Sequence, residues 1–569
     1  MKPIHRILCS AAVFVLAAAL PGQSGSIVDT RHNLSAAGPG PIRSAGESEI
    51  CIFCHTPHSA RSDVPFLWNR RDQTVTYIPY RSTTLTAAVG QPTGASKLCL
   101  SCHDGTIALG AVLARDQEIP FIGGVRLMPA TSPAWVGTDL SDDHPVSLVY
   151  DSRLAQSRGE LTDPALLPPE VTLDGSGQMQ CTACHNPHDN DLGQFLVMRN
   201  DFGQLCIACH QPTGWTAGSH AVANAQWNGQ GADPWPRSDL TSVAQNACSS
   251  CHRPHGAAKP QRLLNQRFEE DNCLVCHNGN VAQTRIDLVI TRPFRHPVQD
   301  TVDVHDAAEN FVLGNVSHHV ECEDCHNPHQ VNPLPSPGAP LVSGATTGVT
   351  GIDATGLVVD PAPNQYEICY QCHADNNVIA VLPITRQIAQ LNVRQEFNPA
   401  NPSFHPVAAP GVNPDVPSLI APLTTASMIF CMDCHNNSDL AGPRGPHGSD
   451  FDFILERNYD TRDNTNESPV TFALCYKCHS RASILNDDSF SLHNFHIVDQ
   501  NAPCSACHDP HGISILQGSP VNNTHLINFD LTIVGPANGT PPRFVDQGRL
   551  AGNCTLDCHG EEHDAEEYP

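Results

Sequence analysis

Twenty-four of the 25 cysteines fall into twelve close pairs, and a histidine directly follows the second member of every pair. Eleven pairs have two intervening residues: Cys51/Cys54 before His55, Cys99/Cys102 before His103, Cys181/Cys184 before His185, Cys206/Cys209 before His210, Cys248/Cys251 before His252, Cys273/Cys276 before His277, Cys322/Cys325 before His326, Cys369/Cys372 before His373, Cys431/Cys434 before His435, Cys475/Cys478 before His479, and Cys504/Cys507 before His508. The twelfth, Cys554/Cys558 before His559, has three. C-x-x-C-H is an attachment pattern for c-type haem. Two cysteines three apart share one face of a helical turn, so both sulfurs form thioethers with one porphyrin and the next histidine points at the iron. A separation of four also keeps both sulfurs on one helical face, so a haem is expected there too. Disulfides need no neighbouring histidine, and zinc joins two cysteine pairs around one metal. Neither explains one order repeated twelve times. The expected cofactor is haem c, twelve per chain, with iron as the metal.

The motifs alternate between two kinds, so the building block is a pair. The first kind reads CIFCHTPH, CTACHNPH, CSSCHRPH, CEDCHNPH, CMDCHNNS and CSACHDPH. Five of these carry a second histidine three residues on: His58, His188, His255, His329 and His511. The exception, at Cys431, offers His447 in GPHGS as a displaced equivalent. The second kind reads CLSCHDG, CIACHQP, CLVCHNG, CYQCHAD, CYKCHSR and CTLDCHG, and begins 25 to 50 residues after its partner. A further histidine precedes each pair: His32, His144, His220, His296, His405 and His496. Six units thus supply twelve irons and twelve candidate distal ligands. Setting aside His5 and the motif histidines, eighteen of the 31 histidines remain. His305, His318, His319, His493, His525 and His563 form the surplus, with His318, His319 and His493 as close rivals. Which histidine serves which iron stays open, because a PH ligand can cross to a neighbouring haem. Six methionines are too few to ligate twelve irons, so bis-histidine ligation at low potential is expected, with no open position for a substrate.

The elements that position these groups are short. Each motif calls for a helical turn, whereas the insertions, such as 330–365, are rich in Gly, Pro, Thr and Val and read as strands and loops. With 48 Pro, 40 Gly and 6% aromatic residues, ordinary hydrophobic domains are not expected. Twelve motifs leave about 47 residues each, too few for independent cores. The fold class expected is mostly irregular, with short helices at the motifs, a few β-hairpin insertions and haems forming the core. Six tandem dihaem units span 25–135, 136–212, 213–285, 286–385, 386–485 and 486–569. Residues 1–24 read as a signal peptide, with Lys2, His5 and Arg6 before an apolar run and Cys9 inside it. No later stretch is long and apolar enough to span a bilayer as a helix. The net charge of −27 argues against nucleic-acid partners. Export to the periplasm, outer membrane or cell exterior is expected.

The alternation of CxxCHxPH with LCxxCH resembles the doubled-motif multihaem cytochromes of the cytochrome c3-like superfamily. The segments RHNLS, CIFCHTPHS, PFLWNR, KLCLSCHDGT and SDDHPVS, with HLINFDLTIV and RFVDQGRLAGNCTLDCHG near the end, are similar to cytochromes of metal-reducing bacteria, some of which form conductive filaments. That resemblance implies respiratory or extracellular electron transfer. Partners would be other redox proteins, including periplasmic cytochromes and porin–cytochrome components, and extracellular metal acceptors. The alternatives are a filament subunit, or a reductase of nitrite or sulfur oxyanions with one five-coordinate haem. The invariant motif histidines speak against the reductase.

Overall fold

The computed structural model describes residues 25–235, 239–299, 320–375, 382 and 384–568. The leader-like stretch 1–24 and His305, His318 and His319 lie outside the described residues. The chain is mostly irregular. Only two described helices exceed seven residues, α1 (Gly94–His103) and α2 (Gln365–His373), and each carries a second-kind motif in its last turns. Helix α2 opens with a capping box, in which the Asn364 backbone N–H donates to Glu367 at 3.0 Å. The buried Ile368 and Tyr370 on α2 then hold Cys369 and Cys372 in place.

Most first-kind motifs occupy one tight turn, as at Cys51–Phe53, Cys181–Ala183, Cys322–Asp324 and Cys431–Asp433. The strands pair antiparallel and are mostly two residues long: β1 (Leu148–Val149) with β2 (Gln178–Met179), β3 (Phe294–Arg295) with β7 (Gly448–Ser449), β4 (Gly351–Ile352) with β5 (Val358–Val359), and β6 (Ser403–Phe404) with β8 (Gly512–Ile513). The β4–β5 hairpin lies within the insertion at 330–365. One larger sheet closes the chain, in the order β10 (Arg543–Gly548), β11 (Ala551–Cys558), β12 (Glu561–Tyr568), with β9 (Val534–Gly535) also on β11.

No single hydrophobic core forms. Buried apolar residues gather in small clusters, such as Ile52, Phe53, Leu109, Val112, Ile119 and Phe121 in the first unit. Motif cysteines edge several clusters, among them Cys54, Cys102, Cys209, Cys325 and Cys431. Large apolar side chains such as Phe66, Leu166, Leu334, Val470 and Leu516 stay exposed. Polar groups do part of the work a core would do. Fully buried Arg70 donates to Ser101 Oγ and to the carbonyls of Ser101, Ala108 and Leu109 at 2.8–3.1 Å, fixing α1 against the chain that leaves the first motif.

Candidate haem sites

At nine motifs the backbone N–H of the histidine bonds the carbonyl of the first cysteine at 2.7–3.0 Å, closing one helical turn. His103 and His373 end helices α1 and α2 in the same way. That turn fixes the histidine's backbone, and a loop fixes its ring. Nδ1 of His55, His185, His252, His435 and His508 donates to the carbonyls of Phe66, Gln194, Arg262, Phe453 and His525 at 2.6–3.0 Å. Each acceptor begins a pair of left-handed residues: Phe66–Leu67, Gln194–Phe195, Arg262–Leu263, Phe453–Ile454 and His525–Leu526. Left-handed backbone costs a side-chain-bearing residue on the order of 1–2 kcal/mol, so its recurrence in five units marks a constraint common to them. With Nδ1 occupied, Nε2 is the nitrogen left to bind a metal.

Two imidazoles on one metal keep their ring centres about 6.2 Å apart, given a bond of about 2 Å and a ring radius of about 1.1 Å. Twelve histidine pairs have this separation. First-kind motif histidines pair as His55 with His188 (6.1 Å), His185 with His255 (6.2 Å), His252 with His329 (6.2 Å), His326 with His447 (6.0 Å), His435 with His511 (6.1 Å) and His508 with His493 (6.4 Å). Second-kind motif histidines pair as His103 with His32 (6.1 Å), His210 with His144 (6.1 Å), His277 with His220 (6.2 Å), His373 with His296 (6.2 Å) and His479 with His405 (6.4 Å). The twelfth pair is His496 with His563, at 6.4 Å. At the first eleven sites the motif turn and the opposed imidazole together fit a haem, and at eight of them a hydrogen bond at Nδ1 also anchors the motif ring.

The PH histidines cross backwards. Those of units two to six each face the first motif histidine of the unit before. Backbone contacts tie the same junctions: Nδ1 of His32 and His220 donates to Pro187 and Pro328 at 2.8 and 2.9 Å, and Nδ1 of His405 donates to Pro510. His296 bonds Pro446, and the His144 N–H donates to Pro254 at 2.8 Å. Strand pairs β3–β7 and β6–β8 continue two of these junctions. His58, in the first unit, is exposed and faces no imidazole among the described residues. His493 and His563, counted as surplus in the sequence, stand in pairs. His525 instead bonds Asn413 and Asp546. The signals that could have found the two are HNFH at 493–496, a histidine pair lying before a motif rather than in it, and CHGEEH at 558–563.

The thiols form one continuous file. Cys99 touches Cys181, Cys206 touches Cys248, Cys273 touches Cys322, Cys369 touches Cys431 and Cys475 touches Cys504, each within hydrogen-bonding reach. These contacts join each unit to the next. Within units, Cys54 lies near Cys102, Cys184 near Cys209, Cys251 near Cys276, Cys325 near Cys372, Cys434 near Cys478, and Cys507 near Cys554. No disulfide joins any of the described cysteines. Burial pushes Cys54, Cys184, Cys251 and Cys507 up to about 12.

Burial also pulls His144, His277, His329, His435, His479 and His508 down to about 4, and His447 to about 3, so these rings are neutral at pH 7. His255 and His511 differ. Burial lowers them, but Asp143 and Glu396, each accepting from Nδ1 at 2.9 and 2.8 Å, carry them above the ordinary value.

The last motif corrects the helical expectation. Cys554 and Cys558 lie on strand β11, where four residues span about 13 Å, against about 6 Å along a helix. His559 lies at φ 56° in the β11–β12 turn, and its Nε2 is 2.8 Å from Asp463 Oδ1. The twelfth site as folded therefore fits one haem less closely than the other eleven.

Comparison with known proteins agrees with the motifs. Residues 175–214 and 241–282 match the doubled CXXCH motif model, and residues 430–509 match the model of cytochrome c554 and c-prime. The multiheme cytochrome MtrA of Shewanella baltica (strain OS185) is 25% identical over 212 residues, covering 35% of this chain and 43% of that protein. The chain thus matches less than half of that relative's length. No helix among the described residues is long and apolar enough to cross a membrane.

Proposed function

Taking the chain as the multihaem c-type cytochrome that its motifs and these matches make it, we propose that it is a dodecahaem electron conduit of respiratory or extracellular electron transfer. The observation that carries the reading is the unbroken file of attachment thiols, in which each motif touches or approaches the next from Cys54 to Cys554. Bound at these motifs, haem supplies a one-electron carrier whose charge changes without a substrate. The protein's part is to hold it. The paired imidazoles would hold the iron between them, Nδ1 hydrogen bonds fix many of the rings, and the adjacent attachment thiols would leave little polypeptide between successive haems.

The motif histidines of the first eleven sites serve as proximal ligands in this reading. His32, His144, His188, His220, His255, His296, His329, His405, His447, His493, His496 and His511 serve as distal ones. His58, one of the candidates in the sequence, faces no imidazole among the described residues and is assigned no iron in this reading. Because each pair closes both faces of its iron, the pairing favours a carrier over a reductase. Partners would be other redox proteins, and the leader-like segment 1–24 supports export to the periplasm, outer membrane or exterior. The test is electron paramagnetic resonance on the oxidised, fully matured protein, with a haem count per chain. Only low-spin ferric signals and twelve haems are expected. A stoichiometric high-spin signal that shifts with nitrite would replace this reading with the reductase.

A further inference from the structure

We infer that the twelfth haem is held between His496 and His563, and that His559, the histidine of its own attachment motif, stays off the iron. The inference rests on the twelve-haem reading and adds the ligands of the last site.

Hairpin geometry is the first reason. His559 and Gly560, at φ 56° and 79°, are the two left-handed residues of a tight hairpin turn, so β12 returns directly along β11. The register sets His563 opposite Leu556 and Glu561 opposite Cys558. Residues directly opposite across two strands share a face, and alternate residues of one strand do too. His563 therefore stands on the face that carries Cys554, buried Leu556 and Cys558. This face packs with Cys507, Phe529 and Phe544. A strand that separates the thiols places the histidine between them, rather than after the second as a helical turn does.

The second reason is which nitrogen is free. His496 Nδ1 donates to the Leu492 carbonyl at 2.8 Å, and His563 Nδ1 lies 2.8 Å from Glu566. Both rings thus keep Nε2 for a metal, at the same 6.4 Å separation as the His405–His479 and His493–His508 pairs. His559 has its Nε2 on Asp463 instead, and no imidazole faces it among the described residues. His496 is the distal histidine of its unit by position in the repeat, so the pair completes the series with one exchange of ligand.

Full-length matured protein carrying H563A, H559A or H563M tests this. H563A is expected to turn one ferric haem in twelve high-spin while the mass still shows twelve haems. H559A is expected to leave every haem low-spin. H563M should keep the iron six-coordinate and move one of twelve reduction steps to higher potential. If H559A loses the haem during maturation, its mass shows one haem fewer and H563M decides alone. A high-spin haem in H559A, or spectra and potentials unmoved by H563A and H563M, overturns the assignment. A wild-type mass with eleven haems overturns the twelve-haem reading beneath it instead.

Discussion

The junction between the fifth and sixth units and the sites inside the sixth solve the same problem in different ways. At the junction, β6 pairs with β8, His405 bonds Pro510, and His511 reaches back to face His435. Each unit therefore completes its predecessor. The segment before the sixth unit's first motif is helical rather than extended. It presents His493 and His496 one turn apart, and His493 faces His508 in the role that the PH histidine of the following unit plays at the other first-kind motifs. In the first unit, His58 holds the PH position but faces no imidazole among the described residues. The difference teaches that the distal ligands belong to the contacts between repeats and not to the repeats themselves.

Breaking each end of this comparison should give graded effects. Replacing His511 by Ala removes a distal imidazole and strips buried Glu396 of its Nδ1 partner, a loss on the order of 1–3 kcal/mol beyond the lost metal bond. One ferric haem should turn high-spin, and the denaturation midpoint should fall. His493→Ala should also give one high-spin haem. Its ring meets the Ser489 hydroxyl at 3.3 Å rather than a buried carboxylate, so its midpoint should fall less. Equal midpoints for the two variants would break the distinction between the junction and the sites inside the sixth unit.

Glycines after the PH motif sharpen the same comparison. A Cβ on Gly448 would lie 2.1 Å from the Val289 carbonyl, and one on Gly512 would lie 2.3 Å from that of Glu396. Gly448→Ala or Gly512→Ala should therefore destabilise by about 1–3 kcal/mol through forced backbone movement. Gly256, at the second junction, has φ 62° and open space, so Gly256→Ala should cost only about 1 kcal/mol of backbone strain. Chemical denaturation of the three variants checks the order.

The third junction carries a pH dependence. Glu321 stands beside the Cys273–Cys322 contact with Glu269 and Glu270, and burial pushes it up to about 8, helped by those neighbouring carboxyls. The folded chain therefore binds more protons than the unfolded one between about pH 4.5 and 8, and this contribution to stability falls as pH rises through that window. Glu321→Gln should flatten the fall in melting temperature. The smallest effect belongs to His58→Ala, whose ring is exposed and faces no imidazole. Its midpoint should move by less than about 0.5 kcal/mol, and all haems should stay low-spin.

Much of the site was legible because attachment chemistry is local. The first eleven motifs each predict a turn from five consecutive residues, and each forms one. The loop that orients the ring also has a sequence trace, since the second residue of each left-handed pair is apolar, at Leu67, Phe195, Leu263, Ile454 and Leu526. The crossing of the PH ligands had no such trace. Nothing in NPH at 186–188 distinguishes service to His185 from service to His55, because the choice depends on how two units dock. The wide motif misled for a related reason. Four-residue spacing suits a helix as well as the three-residue one does, but the sheet built by β9, β10 and β12 draws residues 551–558 into a strand.

The sequence by itself determined the cofactor chemistry, the paired repeat and the absence of a large core, since these follow from covalent spacing and composition. Only the tertiary structure decided which imidazoles face each other, that the thiols run in one file, and that His493 and His563 face imidazoles while His58 faces none among the described residues. Those outcomes depend on contacts between residues as far apart as His55 and His188, and free energy over such distances is set by docking of surfaces rather than by neighbours along the chain.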